Sequence, residues 1–134
     1  YPLRRQRQMC IRDSRYTVAN NMVEETVGQA AIERGPLVYC CESVDTHAAD
    51  LDDVYLDLNA EFTPVEFEIQ GRRMMALETE EYAIDRSEFD RNALYQPLKY
   101  HGMSRKHVRL IPYYAWDNRD YGEMRIWFPV AYTV

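Results

Sequence analysis

Glycine and proline punctuate several short apolar runs of this chain, and that punctuation restricts what it can fold into. The clearest case lies between Gly28 and Glu42. Residues 30–34 lead into Gly35-Pro36, and residues 37–41, Leu-Val-Tyr-Cys-Cys, form an apolar run rich in β-formers. Pro36 has no backbone N–H, so it fits a strand start or an edge but not mid-ladder. Gly35 permits a backbone angle that a side chain would forbid. The stretch reads as two short strands hinged at a sharp bend.

The same reading extends along the chain. Residues 16–23 suit a first strand, although Asn20-Asn21 favours a turn within it. Val54, Leu56 and Leu58 alternate with Tyr55, Asp57 and Asn59, the period-two mark of a half-buried strand. Phe62, Val65, Phe67 and Ile69 continue past Pro64, and Gln70-Gly71-Arg72 is a turn candidate. Met74 to Leu77 begins another strand, whose continuation Glu78-Thr79-Glu80-Glu81-Tyr82 is too charged to be buried on both faces. Residues 85–94 lack helical spacing and read as loop, and residues 95–100 as a short extended piece broken by Pro97. Val108, Leu110 and Pro112 lead into residues 113–116, residues 118–122 form a hairpin loop, and residues 123–129 make a last strand. In that last strand Met124, Ile126 and Phe128 share one face, with Arg125 and Trp127 on the other. Short strands at this spacing predict an all-β fold, an antiparallel β-sandwich of jelly-roll type.

At 134 residues, with 46% hydrophobic and 28% charged side chains, the chain has the make-up of one globular domain. A net charge of −6 argues against a nucleic-acid partner, which calls for a basic patch. No run of 18 apolar residues offers a membrane-spanning helix, and no signal-peptide pattern is visible. Residues 1–15 stand apart: they hold five arginines and one acid, Asp13. Their Gln8-Met9-Cys10-Ile11-Arg12-Asp13-Ser14 resembles a peptide that recurs in unrelated reading frames as translated sequencing-adapter DNA. Residues 1–15 are therefore expected to be a non-native or disordered leader, and residues 16–134 the domain.

Two segments carry a family resemblance. The first is Ala31-Ile32-Glu33-Arg34-Gly35-Pro36-Leu37-Val38-Tyr39-Cys40, closing on Glu42. The second is Pro112-Tyr113-Tyr114-Ala115-Trp116-Asp117-Asn118-Arg119 followed by Gly122-Glu123-Met124-Arg125-Ile126-Trp127. In this order they resemble the C-terminal part of glycoside hydrolase family 127, the β-L-arabinofuranosidase-like proteins. The resemblance spans roughly residues 17–129. It implies an accessory β domain whose partner, a helical-barrel catalytic domain, lies in the same polypeptide. It also implies a zinc-containing parent enzyme with a cysteine nucleophile, whose catalytic motif belongs to the barrel and not to this segment.

Read for chemistry, the residues themselves assign no catalytic, cofactor or metal role. Cys40 and Cys41 tempt, but neighbours on a strand point to opposite faces and cannot grip one ion together. One is expected in the core and one near the opposite face. The third cysteine, Cys10, lies in the leader. His101 and His107 flank a basic turn at residues 104–106. His47 with Asp45, Asp50, Asp52 and Asp53 has ligand types that suit a hard cation, yet lacks the glycine and closing glutamate of a calcium loop. A solvated acidic loop is the expectation. Glu33 and Glu42 are the acids inside the first signature. Catalytic work would need a converging pair, and pairing with Arg34 or Arg119 to fasten the bend is the preferred reading. Tyr113, Tyr114, Trp116 and Trp127 invite a sugar-stacking platform, against packing in the core or on a neighbouring domain. The expectation is a docking face that includes some of Tyr39, Tyr113 and Trp116, with no cofactor in this chain, glycan contact as the alternative, and no nucleic acid or membrane partner.

Overall fold

A computed structural model describes residues 14–46, 50–97 and 102–131. Among the described residues nine strands run in the order β1 (Ser14–Thr17), β2 (Gln29–Arg34), β3 (Leu37–Glu42), β4 (Val54–Asp57), β5 (Thr63–Ile69), β6 (Arg72–Ile84), β7 (Met103–Pro112), β8 (Met124–Arg125) and β9 (Phe128–Ala131). Helical structure among the described residues is limited to single 3₁₀ turns. The chain is all-β, as its punctuation predicts.

The ladders go beyond two antiparallel sheets. The strands β2, β9, β4, β6, β7 and β3 are hydrogen-bonded in that order, and β3 pairs back to β2, so the ring closes. Every pairing is antiparallel except β4 with β9, which is parallel through Leu56 and Val130. Closure removes the exposed edges that an open sheet would present. β1 lies along the outer side of β2, and β5 pairs only with β6.

Two tight bends set the register. Gly35 holds φ 59° between paired Arg34 and Leu37, the positive angle that a two-residue hairpin requires at its first central position. Gln70 and Gly71 hold φ 50° and 79° between paired Ile69 and Arg72, both positive as in a type I′ turn. Both bends were legible in the sequence.

Alternation along the strands then builds two cores. Ile32, Tyr39, Cys41, Leu56, Leu77, Val108, Leu110 and Phe128 fill the ring. Cys40, Ile69, Met74, Ala76, Ile111 and Ala115 form a second cluster, with Val65, Phe67, Met124 and Ile126 packed on it. Adjacent Tyr39, Cys40 and Cys41 point inward, outward and inward, and all three are fully covered.

Four local expectations give way. β1 ends at Thr17 rather than reaching Val23, because Asn20 closes a turn there, accepting from Val23 N at 2.8 Å and from Met22 N at 3.0 Å. The last strand is broken at Ile126-Trp127. β8 pairs with β3, whereas β9 pairs with β2 and β4. Met124 and Ile126 therefore pack on the outer cluster and Phe128 in the ring, so the three do not share one face. Residues 118–122 are a loop but not a hairpin, since the flanking β7 and β8 both pair with β3. Residues 104–106 lie within β7 instead of a turn, held in register by β6 from Ile84–Met103 onward.

The first strand starts at Ser14, and Arg15 bonds the Glu33 carboxylate at 2.8 Å and the Gly35 carbonyl at 3.0 Å. The folded part thus takes in two residues that the sequence alone assigns to the leader. Residues 1–13, with Cys10, lie outside the described residues, as do His47, His101 and residues 98–100.

The bend at Gly71 gives a direct stability test. A Cβ there meets nothing within 4 Å, so Gly71→Ala carries only backbone strain, about 1 kcal/mol. Urea unfolding should show a lower midpoint at unchanged slope.

Candidate functional site

The two signature segments meet at one guanidinium. β3 ends at Glu42, and the 3₁₀ turn Ser43–Asp45 follows it. Glu42 and Asp45 cap that turn reciprocally, each side chain accepting from the other residue's backbone N–H. Both side chains are buried. Arg119 arrives from the loop after β7 and grips Asp45 through two bonds of 2.6 Å, with Glu42 Oε2 at 3.3 Å. Asp117, held at φ 64°, donates its N–H to Glu42 Oε1 at 2.8 Å. The preferred pairing of Glu42 with Arg119 is present. Glu33 instead pairs with Arg15. Every carboxylate oxygen of Glu42 and Asp45 already faces a donor, so this pair fastens the loop after β7 to the turn after β3.

Cys40 and Cys41 are both free and buried. Burial, aided by the nearby Glu42 and Asp45 carboxylates, pushes the Cys40 thiol up to about 12. Burial likewise pushes Cys41 well above its ordinary value. The thiolate is the nucleophile and the metal ligand, and neither residue offers one near neutral pH.

A second acid cluster escaped the sequence reading. Glu81 is 1% exposed. It follows Leu77 and Thr79 and precedes Ala83 on the inner face of β6, all four buried. Its Oε2 accepts from Asp57 N at 2.6 Å. Asp57 in turn receives Arg105 Nη2 at 2.7 Å, and its carbonyl receives the Tyr16 hydroxyl at 2.9 Å. Burial, reinforced by the Asp57 charge, lifts Glu81 to about 8, so it is a neutral acid at physiological pH. Asp57 moves the opposite way, lowered first by the Asn59 N–H and then by Arg105. The available signal was the period-two count from Leu77, which puts Glu81 inside. The charge density of residues 78–82 obscured it.

The acids of the loop after β3 are dispersed. Arg119 takes Asp45, Arg86 takes Asp53, and Arg125 takes Asp52 at 2.7 Å. Asp50 and Asp52 come together with Glu123, their carboxylate oxygens within 4.8 Å of one another and all three residues exposed. Asp45 and Asp53 are not in that group, so the set read from sequence does not assemble.

The aromatics divide. Tyr39 is wholly buried and its hydroxyl donates to the Met75 carbonyl at 2.8 Å, so it is no part of a docking face. Tyr113, Tyr114 and Trp116 are 46%, 56% and 37% exposed, carried on the 3₁₀ turn Tyr113–Ala115 and the residue after it. Ala115 anchors that turn in the outer core. Trp127 is half-buried.

Comparison with known proteins now decides the family. Residues 14–129 match the sequence model of the glycoside hydrolase family 127 C-terminal domain. The chain belongs to that family. It is 32% identical to a non-reducing end β-L-arabinofuranosidase of Bifidobacterium longum, an alignment that takes in 84% of this chain and 17% of the relative. A solved glycoside hydrolase superposes with a TM-score of 0.81 at 35% identity, over 90% of this chain and 20% of that one. A family 127 β-L-arabinofuranosidase from Geobacillus stearothermophilus T6 superposes at 0.78 and 28% identity, over 89% of this chain and 18% of the other. The chain thus spans about a fifth or less of the length of these relatives.

Two measurements probe the buried groups. Arg119→Ala leaves two buried carboxylates uncompensated and should cost about 3–5 kcal/mol in chemical unfolding. Glu81 sets a pH slope. The unfolded carboxyl ionises near 4.5 and the folded one near 8, so between these values only the folded state keeps the proton, and stability falls as pH rises. The fall from pH 5 to pH 9 is on the order of 4 kcal/mol. Glu81→Gln should flatten that part of the curve, and stability measured across this range checks it.

Proposed function

We propose that this domain is a non-catalytic support of a larger family 127 glycoside hydrolase, seated against a helical-barrel catalytic domain through the Tyr113–Trp116 surface. The exposed rings of Tyr113, Tyr114 and Trp116 carry the reading. Aromatic side chains at a surface bury large apolar area on docking while keeping a polar handle. They stand on a turn pinned from below by Ala115 and from the side by Arg119, so the surface is preorganised. The fully engaged carboxylates of Glu42 and Asp45 and the protonated thiols support the absence of chemistry in this segment. In the same reading the ring and its outer cluster form a flattened, jelly-roll-like sandwich, with β5 and the Tyr113–Ala115 turn as part of the second layer. The parent's action on β-L-arabinofuranose is proposed from the relatives' names.

Sugar stacking by the same rings is the second reading, and one experiment separates the two. This domain is exchanged into the Bifidobacterium longum relative in place of its matching segment, with and without Tyr114→Ser and Trp116→Ser. Docking predicts a fall of about 3–6 °C in Tm with KM for a chromogenic arabinofuranoside unchanged. A raised KM for arabinan fragments at constant Tm would instead support glycan contact. The isolated chain should release no L-arabinose, and release would overturn the non-catalytic assignment.

A further inference from the structure

We propose that the open end of the β6–β7 ladder is a binding site for a small anionic, hydroxyl-bearing ligand, the chemistry shared by a sugar acid and a sugar phosphate. This site is separate from the Tyr113–Trp116 surface and does not depend on the support role. β6 and β7 pair out to Ile84 and Met103, one residue past the Val54–Ala83 pair that ends the β4 ladder, and Asp85 N bonds the Gly102 carbonyl at 3.0 Å across their ends. The loop that leaves β6 opens with Ser87 N on Asp85 Oδ1 at 2.9 Å and is tied back to the turn before β4 by Arg86 on Asp53. Between them lies a cavity of about 580 Å³, within the roughly 300–1,000 Å³ of small-molecule sites.

Its charge runs against the rest of the chain. The chain carries a net −6, yet Arg86, Arg91 and Lys106 face Asp53 and Asp85 in this lining. Arg86 neutralises Asp53 and lies over the Phe89 ring at 4.7 Å, which fixes its plane. Asp85 accepts the Ser87 N–H. Arg91 and Lys106 have no ion pair among the described residues. Lys106 is half-buried on the inner side of β7, opposite Glu81 in the ladder. Glu81 keeps its proton up to about pH 8, so no carboxylate cancels the Lys106 charge from that side. A half-buried, unpaired ammonium is poorly screened and attracts an anion more strongly than an exposed one. The hydroxyls of Ser87 and Ser104 line the same space and can both donate and accept. Cations set the charge of the ligand, and the hydroxyls select one that carries hydroxyls of its own.

Amide chemical-shift titrations of the full chain at low ionic strength test this, using D-galacturonate, D-glucose 6-phosphate, D-galactose and inorganic phosphate. The expected result is saturable shifts at Ser87, Gly102 and Ser104 with one or both anionic sugars, at a Kd on the order of 1 mM. The tighter of the two identifies the source, and galactose gives none. Arg91→Gln with Lys106→Gln should weaken binding about tenfold or more, while Arg72→Gln with Arg73→Gln, the same charge change on another hairpin, should not. Ser104→Phe, which fills the cavity with the charges intact, should also abolish binding and serves if the double variant does not fold. Inorganic phosphate binding as tightly as the anionic sugars, shifts scattered over the surface, no saturable shifts, or equal loss in both double variants would each overturn the proposal.

Discussion

Arg119 is the contact on which the outer half of the domain depends. The chain leaves the ring at the end of β7 and rejoins it in β9, and the loop between β7 and β8 carries the exposed rings. That loop is short of apolar anchors, since only Ala115 is buried in it. The bidentate grip on Asp45 and the Asp117 N–H on Glu42 tie it to the turn after β3. Fork-to-fork pairing of guanidinium and carboxylate fixes direction as well as distance. A lysine supplies one charge without the fork, so it would hold the loop without orienting it. Both carboxylates are out of water, so the cluster is stable only while complete.

The closed ring explains how a domain of this size holds a core on each side of one wall. Tyr39 and Cys41 look into the ring while Cys40, between them, looks out into the second cluster. A strand buried on both faces needs an apolar residue at every position, which is why residues 37–41 read as a continuous run instead of an alternation. β6 does the same over Met74, Ala76 and Leu77 and then changes character. Beyond Leu77 its outer face begins with Glu78 and Glu80, and Glu78 bonds Arg109, whose guanidinium stacks on Phe67 at 4.4 Å.

A polar network gathers where β4 crosses the far half of β6. Glu81, Asp57, Arg105 and the Tyr16 hydroxyl link β6, β4, β7 and β1. A protonated glutamate can sit there because burial costs a neutral acid far less than a charged one. Beyond this network, Lys106 and Arg91 line the cavity at the end of the β6–β7 ladder. The outer end of the domain is thus stabilised by the Arg119 ion pairs, and at the β6–β7 end Lys106 and Arg91 have no ion pair among the described residues.

The sequence by itself determined the class of fold, the bends at Gly35 and Gly71, and the family. Each rests on local chemistry: alternation with period two, positive φ at glycine, and residue order within two short segments. It also paired Glu42 with Arg119, because both sit at the edges of those segments. Only the tertiary structure decided that the sheet closes, that the last strand splits at Ile126-Trp127, and that Tyr39 is interior while Tyr114 is not. It alone brought Glu81 against Asp57 and set Asp45 apart from Asp50. These outcomes depend on contacts between residues tens of positions apart, and hydrophobic period carries no information about which strand becomes a neighbour.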